Sequence, residues 1–181
     1  MEFETLLLRE APGRAADVVE VPNAAEAAIA YVTRMARAKA DVGWQRVADR
    51  NLALRPVLAA DTEVVLEGEI FGKPRNAADA ARMLRRLSGR THEVLTAVAV
   101  RHRDGACAAL STTRVTIRRL AAAEVERYVA TREPFDKAGG YAVQGLAAAF
   151  VSRLAGSYTG VVGLPLYETA TLLAQAGIRV V

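Results

Sequence analysis

Apolar and polar positions change period several times along this chain, and the changes mark out alternating strands and helices. Phe3 to Leu8 reads as a short apolar strand, and Arg9 to Val21, with its proline, glycine and acids, as a loop. Pro22-Asn23 opens a helix, with Asn23 as cap and Glu26 completing a capping box three residues on. Ile29, Val32, Met35 and Ala36 recur at helical spacing and carry that helix from about Ala24 to Val42, where Gly43 stops it. Val57 to Leu66 (VLAADTEVVL) reads as a buried strand broken by one polar pair, Asp61-Thr62. A turn at Glu67-Gly68-Glu69 leads to Ile70-Phe71 and then to the loop Gly72-Lys73-Pro74.

Asn76 caps a second helix, with Asp79 at the capping-box position, and Ser88-Gly89 ends it. His92 to His102 and Ala106 to Arg118 are β-rich and joined at Arg103-Asp104-Gly105, a strong hairpin signal. Ala121 to Thr131 is a third helix, amphipathic through Val125, Tyr128 and Val129. Asp136 to Gly145 is a glycine-rich loop and Ala147 to Leu154 a strand. Pro165 starts a last helix that ends at Gly177, before a strand over Ile178 to Val181. No repeat or linker interrupts this order, so the expectation is an α/β fold in one domain spanning residues 1–181.

Composition narrows the class. Hydrophobic residues make up 52% and charged residues 24%, which excludes a disordered or fibrous chain. No apolar run approaches the roughly 18 residues of a membrane span, and the acids near the N-terminus do not suit a secretory signal. A single cysteine, Cys107, excludes an internal disulfide and suits a reducing cytoplasm. The net charge of +4 permits polyanionic partners and selects none. RNA binding is disfavoured, because the few aromatics are not interleaved with basic residues as stacking platforms. Of the 24 basic residues only Lys39, Lys73 and Lys137 are lysines. In so arginine-rich a chain, a lysine marks a place where a compact point charge is wanted, such as a single phosphate oxygen.

Three segments carry candidate chemistry. Asp61 lies inside an apolar strand, where a carboxylate is costly unless something pairs with it, and is a candidate general base or metal ligand. Gly72-Lys73-Pro74 offers a flexible approach, a cation and a stiff support. Asp136-Lys137-Ala138-Gly139-Gly140-Tyr141-Ala142-Val143-Gln144-Gly145 is a plausible ligand loop, although it matches neither the P-loop nor the dinucleotide fingerprint. Glu20 is a lone acid in a loop, and His92 and His102 share no metal-ligand spacing with other residues.

Taken in order, these segments resemble the Maf family of nucleotide pyrophosphatases. The resemblance runs from Tyr31–Ala40 through Ala60-Asp61-Thr62, Gly72-Lys73-Pro74 and Met83–His92. It continues through Tyr128–Pro134, Asp136–Gly139, Tyr141–Gly145, Tyr158 and Val161–Pro165, and all three lysines fall inside it. It implies a two-lobed fold around a long mixed β-sheet flanked by helices, similar to inosine triphosphate pyrophosphatases. It implies hydrolysis of a nucleoside triphosphate to the monophosphate and pyrophosphate, with Mg²⁺ or Mn²⁺, in a homodimer. Asp-Thr with Gln-Gly marks the dTTP and UTP branch, and Asp-Gln with Glu-Gly the 7-methyl-GTP branch; Asp61-Thr62 and Gln144-Gly145 match the first.

On that resemblance Asp61 activates water and shares the metal with Glu20, while Lys39, Lys73 and Lys137 offset phosphate charge. Gln144 reads the pyrimidine edge, Thr62 shapes its pocket and Gly72 admits the ligand to the backbone. The chain departs from the pattern in two places. A segment of the type Ser-x-Ser-Pro-Arg-Arg, roughly twenty residues, is expected before Phe3-Glu4, and Gly160 stands where many members carry Asn. The first departure motivates a competing expectation, a non-catalytic nucleotide-binding member acting as a cell-division regulator.

Overall fold

The structure, a computed structural model, describes residues 3–8 and 17–180. Its elements in chain order are α1 (Ala28–Asp49), β1 (Val57–Leu66), β2 (Glu69–Phe71), α2 (Ala77–Leu87), β3 (Thr91–His102) and β4 (Gly105–Ile117). They continue with α3 (Ala122–Ala130), two short 3-10 turns (Ala138–Gly140 and Leu146–Phe150), β5 (Val151–Ala155), α4 (Tyr158–Val162) and α5 (Leu166–Gln175). The five strands form one sheet in the order β2-β1-β3-β4-β5, with antiparallel pairing of β1 to β2 and of β4 to β5. This is the expected α/β architecture.

The chain divides into two compact units and passes between them inside β1, β3 and β4. The first takes residues up to Asp61, Ala97–Leu110 and residues from Leu166 on. Its core sets Val98 and Val100 of β3 against Leu172 and Leu173 of α5, with Ala60, Cys107 and Ala109 packed around them. The second takes Thr62–Thr96 and Ser111–Pro165. It buries Val64, Leu66, Phe71, Leu84, Leu87, Val115, Ile117 and Phe150 in a single cluster.

Local chemistry explains the elements the sequence predicts well. Glu67 and Gly68 both take positive φ, 54° and 82°, and join β1 to β2 in a tight turn with Leu66 opposite Glu69. Asn76 caps α2 by accepting the Asp79 N–H at 2.9 Å. β3 is buried continuously from Val94 to Val100, as a central strand covered on both faces must be.

Several expectations need correction. Phe3 to Leu8 adopts no regular secondary structure. The Arg46 guanidinium donates to the Leu7 carbonyl at 2.5 Å, and Phe3 and Leu7 stay exposed. The first helix starts at Ala28 rather than near Ala24, because Ala25 takes φ 58° and breaks the helical path. Glu26 still accepts the Asn23 N–H at 2.9 Å, so half of the capping box forms, in a turn ahead of the helix. Ile29 is 54% exposed, and the buried stripe runs instead through Tyr31, Val32, Met35, Ala36 and Ala40 to Gly43.

Gly43 does not stop the helix, which runs on to Asp49. A Cβ there would come within 2.8 Å of Val57 Cγ1, so this glycine serves the close approach of α1 to β1. At the C-terminal end, Ala147–Phe150 form a 3-10 turn and only Val151–Ala155 pair as strand. Ile178–Val180 are not a strand either: the Ile178 N–H returns to the Leu173 carbonyl at 2.8 Å and closes the end of α5, while Val181 lies outside the described residues.

The Gly43 contact separates two effects. Gly43→Ala gains about 1 kcal/mol of helix propensity and loses about 1–3 kcal/mol to crowding against Val57. In the present chain it should therefore lower stability, by about 1 kcal/mol in urea unfolding. In a Val57→Ala background the same substitution should stabilise. Stabilisation in both backgrounds would show that Gly43 is not there for packing.

Candidate functional site

The first unit gathers three of the predicted residues. Lys39, on α1, donates to Asp61 Oδ1 at 2.7 Å and pairs with Glu20 Oε1 at 2.5 Å. The Asp61 side chain is 9% exposed, Lys39 20% and Glu20 39%. Burial alone would push the Lys39 ammonium down, but its hydrogen bonds to Asp61 and Glu20 outweigh this and raise it above the usual lysine value. The buried acid inside an apolar strand thus has the cationic partner that its position demands.

Helix and strand are placed to make that contact. Lys39 and Gly43 lie one turn apart on the same face of α1. Lys39 meets Asp61 while Gly43 meets Val57, so α1 runs against β1 in the opposite sense.

The second unit brings the two candidate loops together. The Gly139 N–H donates to the Gly72 carbonyl at 3.1 Å, tying the Asp136–Gly145 loop to Gly72-Lys73-Pro74. Gly139 takes φ 69°, and a Cβ there would stand 3.0 Å from Val64, so only glycine fits. Lys73 and Gln144 are exposed and Lys137 is half-buried, while Pro74, Tyr141, Ala142 and Val143 are buried beneath them. The loops therefore present their polar side chains on a packed base.

Thr62 belongs to a hydroxyl relay that sequence reading misses. Thr96 Oγ1 donates to the Gly160 carbonyl at 2.7 Å and lies 2.9 Å from Thr62 Oγ1. A hydroxyl has one hydrogen, and that of Thr96 is committed to Gly160, so Thr62 donates to Thr96. Thr62 is left with acceptor lone pairs only. The Gly160 position is set by α4, an element absent from the sequence reading, whose first N–H groups are capped by the Ser157 hydroxyl at Gly160 N, 3.0 Å away.

His92 is 2% exposed and shares a 2.7 Å hydrogen bond between Nε2 and the Tyr141 hydroxyl, with the two rings edge to face. Burial pulls its imidazole down to about 4. It ties the start of β3 to the Asp136–Gly145 loop. Among the described residues, no group of three or more His, Cys, Asp or Glu side chains is placed to hold a metal ion. Asp61 and Glu20, converging on the single Lys39 ammonium, are the pair of carboxylates that meets the chemistry of a Mg²⁺ ion. Such an ion takes one or two carboxylates and completes its shell with water and phosphate oxygens.

Comparison with known proteins finds relatives over nearly the whole chain. The family described as "Maf-like protein" matches residues 5–176. A Nitrosospira multiformis protein named dTTP/UTP pyrophosphatase is 52% identical over 180 residues, covering 99% of this chain and 87% of the relative. Proteins of the same name from Chromobacterium violaceum and Nitrosomonas europaea are 52% identical over 164 residues and 50% over 175. They cover 91% and 97% of this chain, and 83% and 84% of their own lengths.

The buried imidazole sets a pH dependence of stability. The unfolded chain binds a proton at His92 near pH 6.5, the folded chain only near 4. Stability from the neutral ring is complete above the first value and is lost as pH falls toward the second. Urea unfolding at pH 5 should show about 2 kcal/mol less stability than at pH 7, and His92→Gln should remove most of that difference. An unchanged pH slope in His92→Gln would place its source elsewhere.

Proposed function

The chain belongs to the Maf-like protein family, and on that premise we propose that it hydrolyses dTTP and UTP to the monophosphate and pyrophosphate, clearing them from the nucleotide pool. The observation that carries the reading is the Lys39–Asp61 pair, an acid held inside an apolar strand by an ammonium at 2.7 Å. A carboxylate held in place by an ammonium is a positioned proton acceptor, which is what a general base has to be. The relatives' shared name supports the substrate class, as does Asp61-Thr62 occurring together with Gln144-Gly145.

In this reading Asp61 takes a proton from the water that attacks the α-phosphorus, and the α–β bond breaks with pyrophosphate leaving. Lys39, Lys73 and Lys137 offset the charge of the triphosphate and of the departing pyrophosphate. Asp61 and Glu20 would hold the divalent cation, Mg²⁺ or Mn²⁺, which when bound neutralises phosphate charge. Gln144 offers one donor and one acceptor to O4 and N3–H of thymine or uracil, and Thr62, left with acceptor lone pairs, helps to shape the pocket. Gly72, with open space where a Cβ would lie, leaves its backbone accessible to ligand. The reading includes a homodimer and action in the cytoplasm.

Release of pyrophosphate from UTP, detected as phosphate after inorganic pyrophosphatase, tests the activity directly. Asp61→Asn should lower kcat at least a hundredfold with the fold retained, since positioned general bases contribute about 10²–10⁴. A variant that keeps more than about a tenth of the rate would remove Asp61 from the role of base.

Gln144→Glu keeps the size and the acceptor but places a carboxylate against O4. Uracil turnover should drop about tenfold to a hundredfold in kcat/KM, while guanine, which offers N1–H and N2–H₂, gains relative to it. Equal losses on every base would show that Gln144 serves the phosphates or the loop instead.

A further inference from the structure

One carboxylate and its tyrosine partner hold the backbone on both sides of Gln144. Glu133 Oε2 accepts the Leu146 N–H at 2.9 Å and Oε1 accepts the Ala147 N–H at 3.2 Å. The same Oε1 accepts the Tyr128 hydroxyl at 3.0 Å, and the Tyr128 oxygen in turn accepts the Ala142 N–H at 3.3 Å. Ala142 precedes Gln144 by two residues and Leu146 follows it by two, so the Glu133–Tyr128 pair brackets it.

The carboxylate also explains Gly145. A Cβ at that position would lie 2.4 Å from Glu133 Oε1 and 2.7 Å from Oε2, so Gly145 keeps the space that the clamp occupies. Tyr128 is 3% exposed, and its ring packs edge to face on Phe150 in the core of the same unit. Burial would raise the Glu133 carboxyl, but the two backbone N–H groups and the Tyr128 hydroxyl bring it below its ordinary value, with the Lys137 charge adding to the same effect. The clamp is thus an anchored, ionised acceptor. The Gln144 side chain is exposed, on a backbone that cannot drift.

We propose that Glu133 is a positioning residue for base selection: by fixing the backbone after Gln144 directly, and the backbone before it through Tyr128, it sets the direction in which the amide meets the nucleobase. This rests on the reading of Gln144 as the group that contacts the base. Hydrogen-bond discrimination needs donors and acceptors held to a fraction of an ångström, and a side chain on a loose loop would lose that discrimination before it lost general affinity.

Glu133→Gln tests it, being nearly isosteric but turning one acceptor into a donor that faces a backbone N–H. The ratio of kcat/KM for UTP to that for GTP should fall about tenfold in this variant. In a Gln144→Ala background, where the ratio is already low, Glu133→Gln should lower it no further. Tyr128→Phe, which removes the hydroxyl that joins Glu133 to the Ala142 N–H and leaves the Leu146 and Ala147 bonds in place, should lower the ratio about threefold and decides the matter should Glu133→Gln fail to fold. A changed ratio in Gln144→Ala together with an unchanged one in both clamp variants overturns the positioning role alone. An unchanged ratio in Gln144→Ala overturns the base-reading premise and the proposal with it.

Discussion

A carboxylate in the middle of an apolar strand is stable only beside a cation, and the first unit is organised around that requirement. Beyond Asp61, β1 is buried from Val64 to Leu66, while Val57 before it is half-buried and Leu58 exposed, so the charge sits where the strand enters the interior. The ammonium that answers it comes from the middle of a 22-residue helix. It reaches Asp61 because Gly43, one turn further on, lets that helix close on Val57 without a Cβ between them. The glycine that looks like a helix stop and the lysine one turn before it are two parts of one contact.

The second unit solves a different problem with the same residue type. Its two candidate loops are rich in glycine yet fixed in place, and the glycines admit other groups into the space they leave. Val64 fills the space beside Gly139, and the Glu133 carboxylate fills that beside Gly145. A hydrogen bond from Gly139 to Gly72 joins the loops. These glycines buy close approach rather than freedom of motion.

Much of this was legible from the sequence, and the residues that were not share a cause. β1, α2 with its Asn76 cap and the β3–β4 hairpin are local decisions, made by patterning and turn chemistry over a few residues, and they appear where the sequence places them. The isolation of Asp61 in an apolar run was likewise visible as a problem needing a partner. What the one-dimensional pattern misses depends on groups far away in sequence. Phe3–Leu8 has strand composition, but its backbone is engaged by Arg46, thirty-nine residues on. Ile178 has strand chemistry but is captured as the closing residue of a helix end. Glu133 stands in the sequence as an acid before a proline, and nothing in its neighbourhood of the chain says that its oxygens reach Leu146 and Ala147.

The scarcity of lysine acquires a geometric meaning once the ion pairs are compared. Two arginines grip single carboxylates with two nitrogens of their fork. Arg34 binds both oxygens of Glu26 at 2.7 and 2.6 Å, and Arg118 binds both of Glu124 at 3.2 and 2.7 Å. A planar fork fits one coplanar carboxylate and fixes its orientation. Lys39 does something else: it reaches two carboxylates from separate segments, Glu20 and Asp61, at 2.5 and 2.7 Å. A tetrahedral ammonium with three donors on a flexible stem can divide itself between partners that do not lie in one plane. In a chain that uses arginine almost everywhere else, that division is the physical reason why position 39 is a lysine.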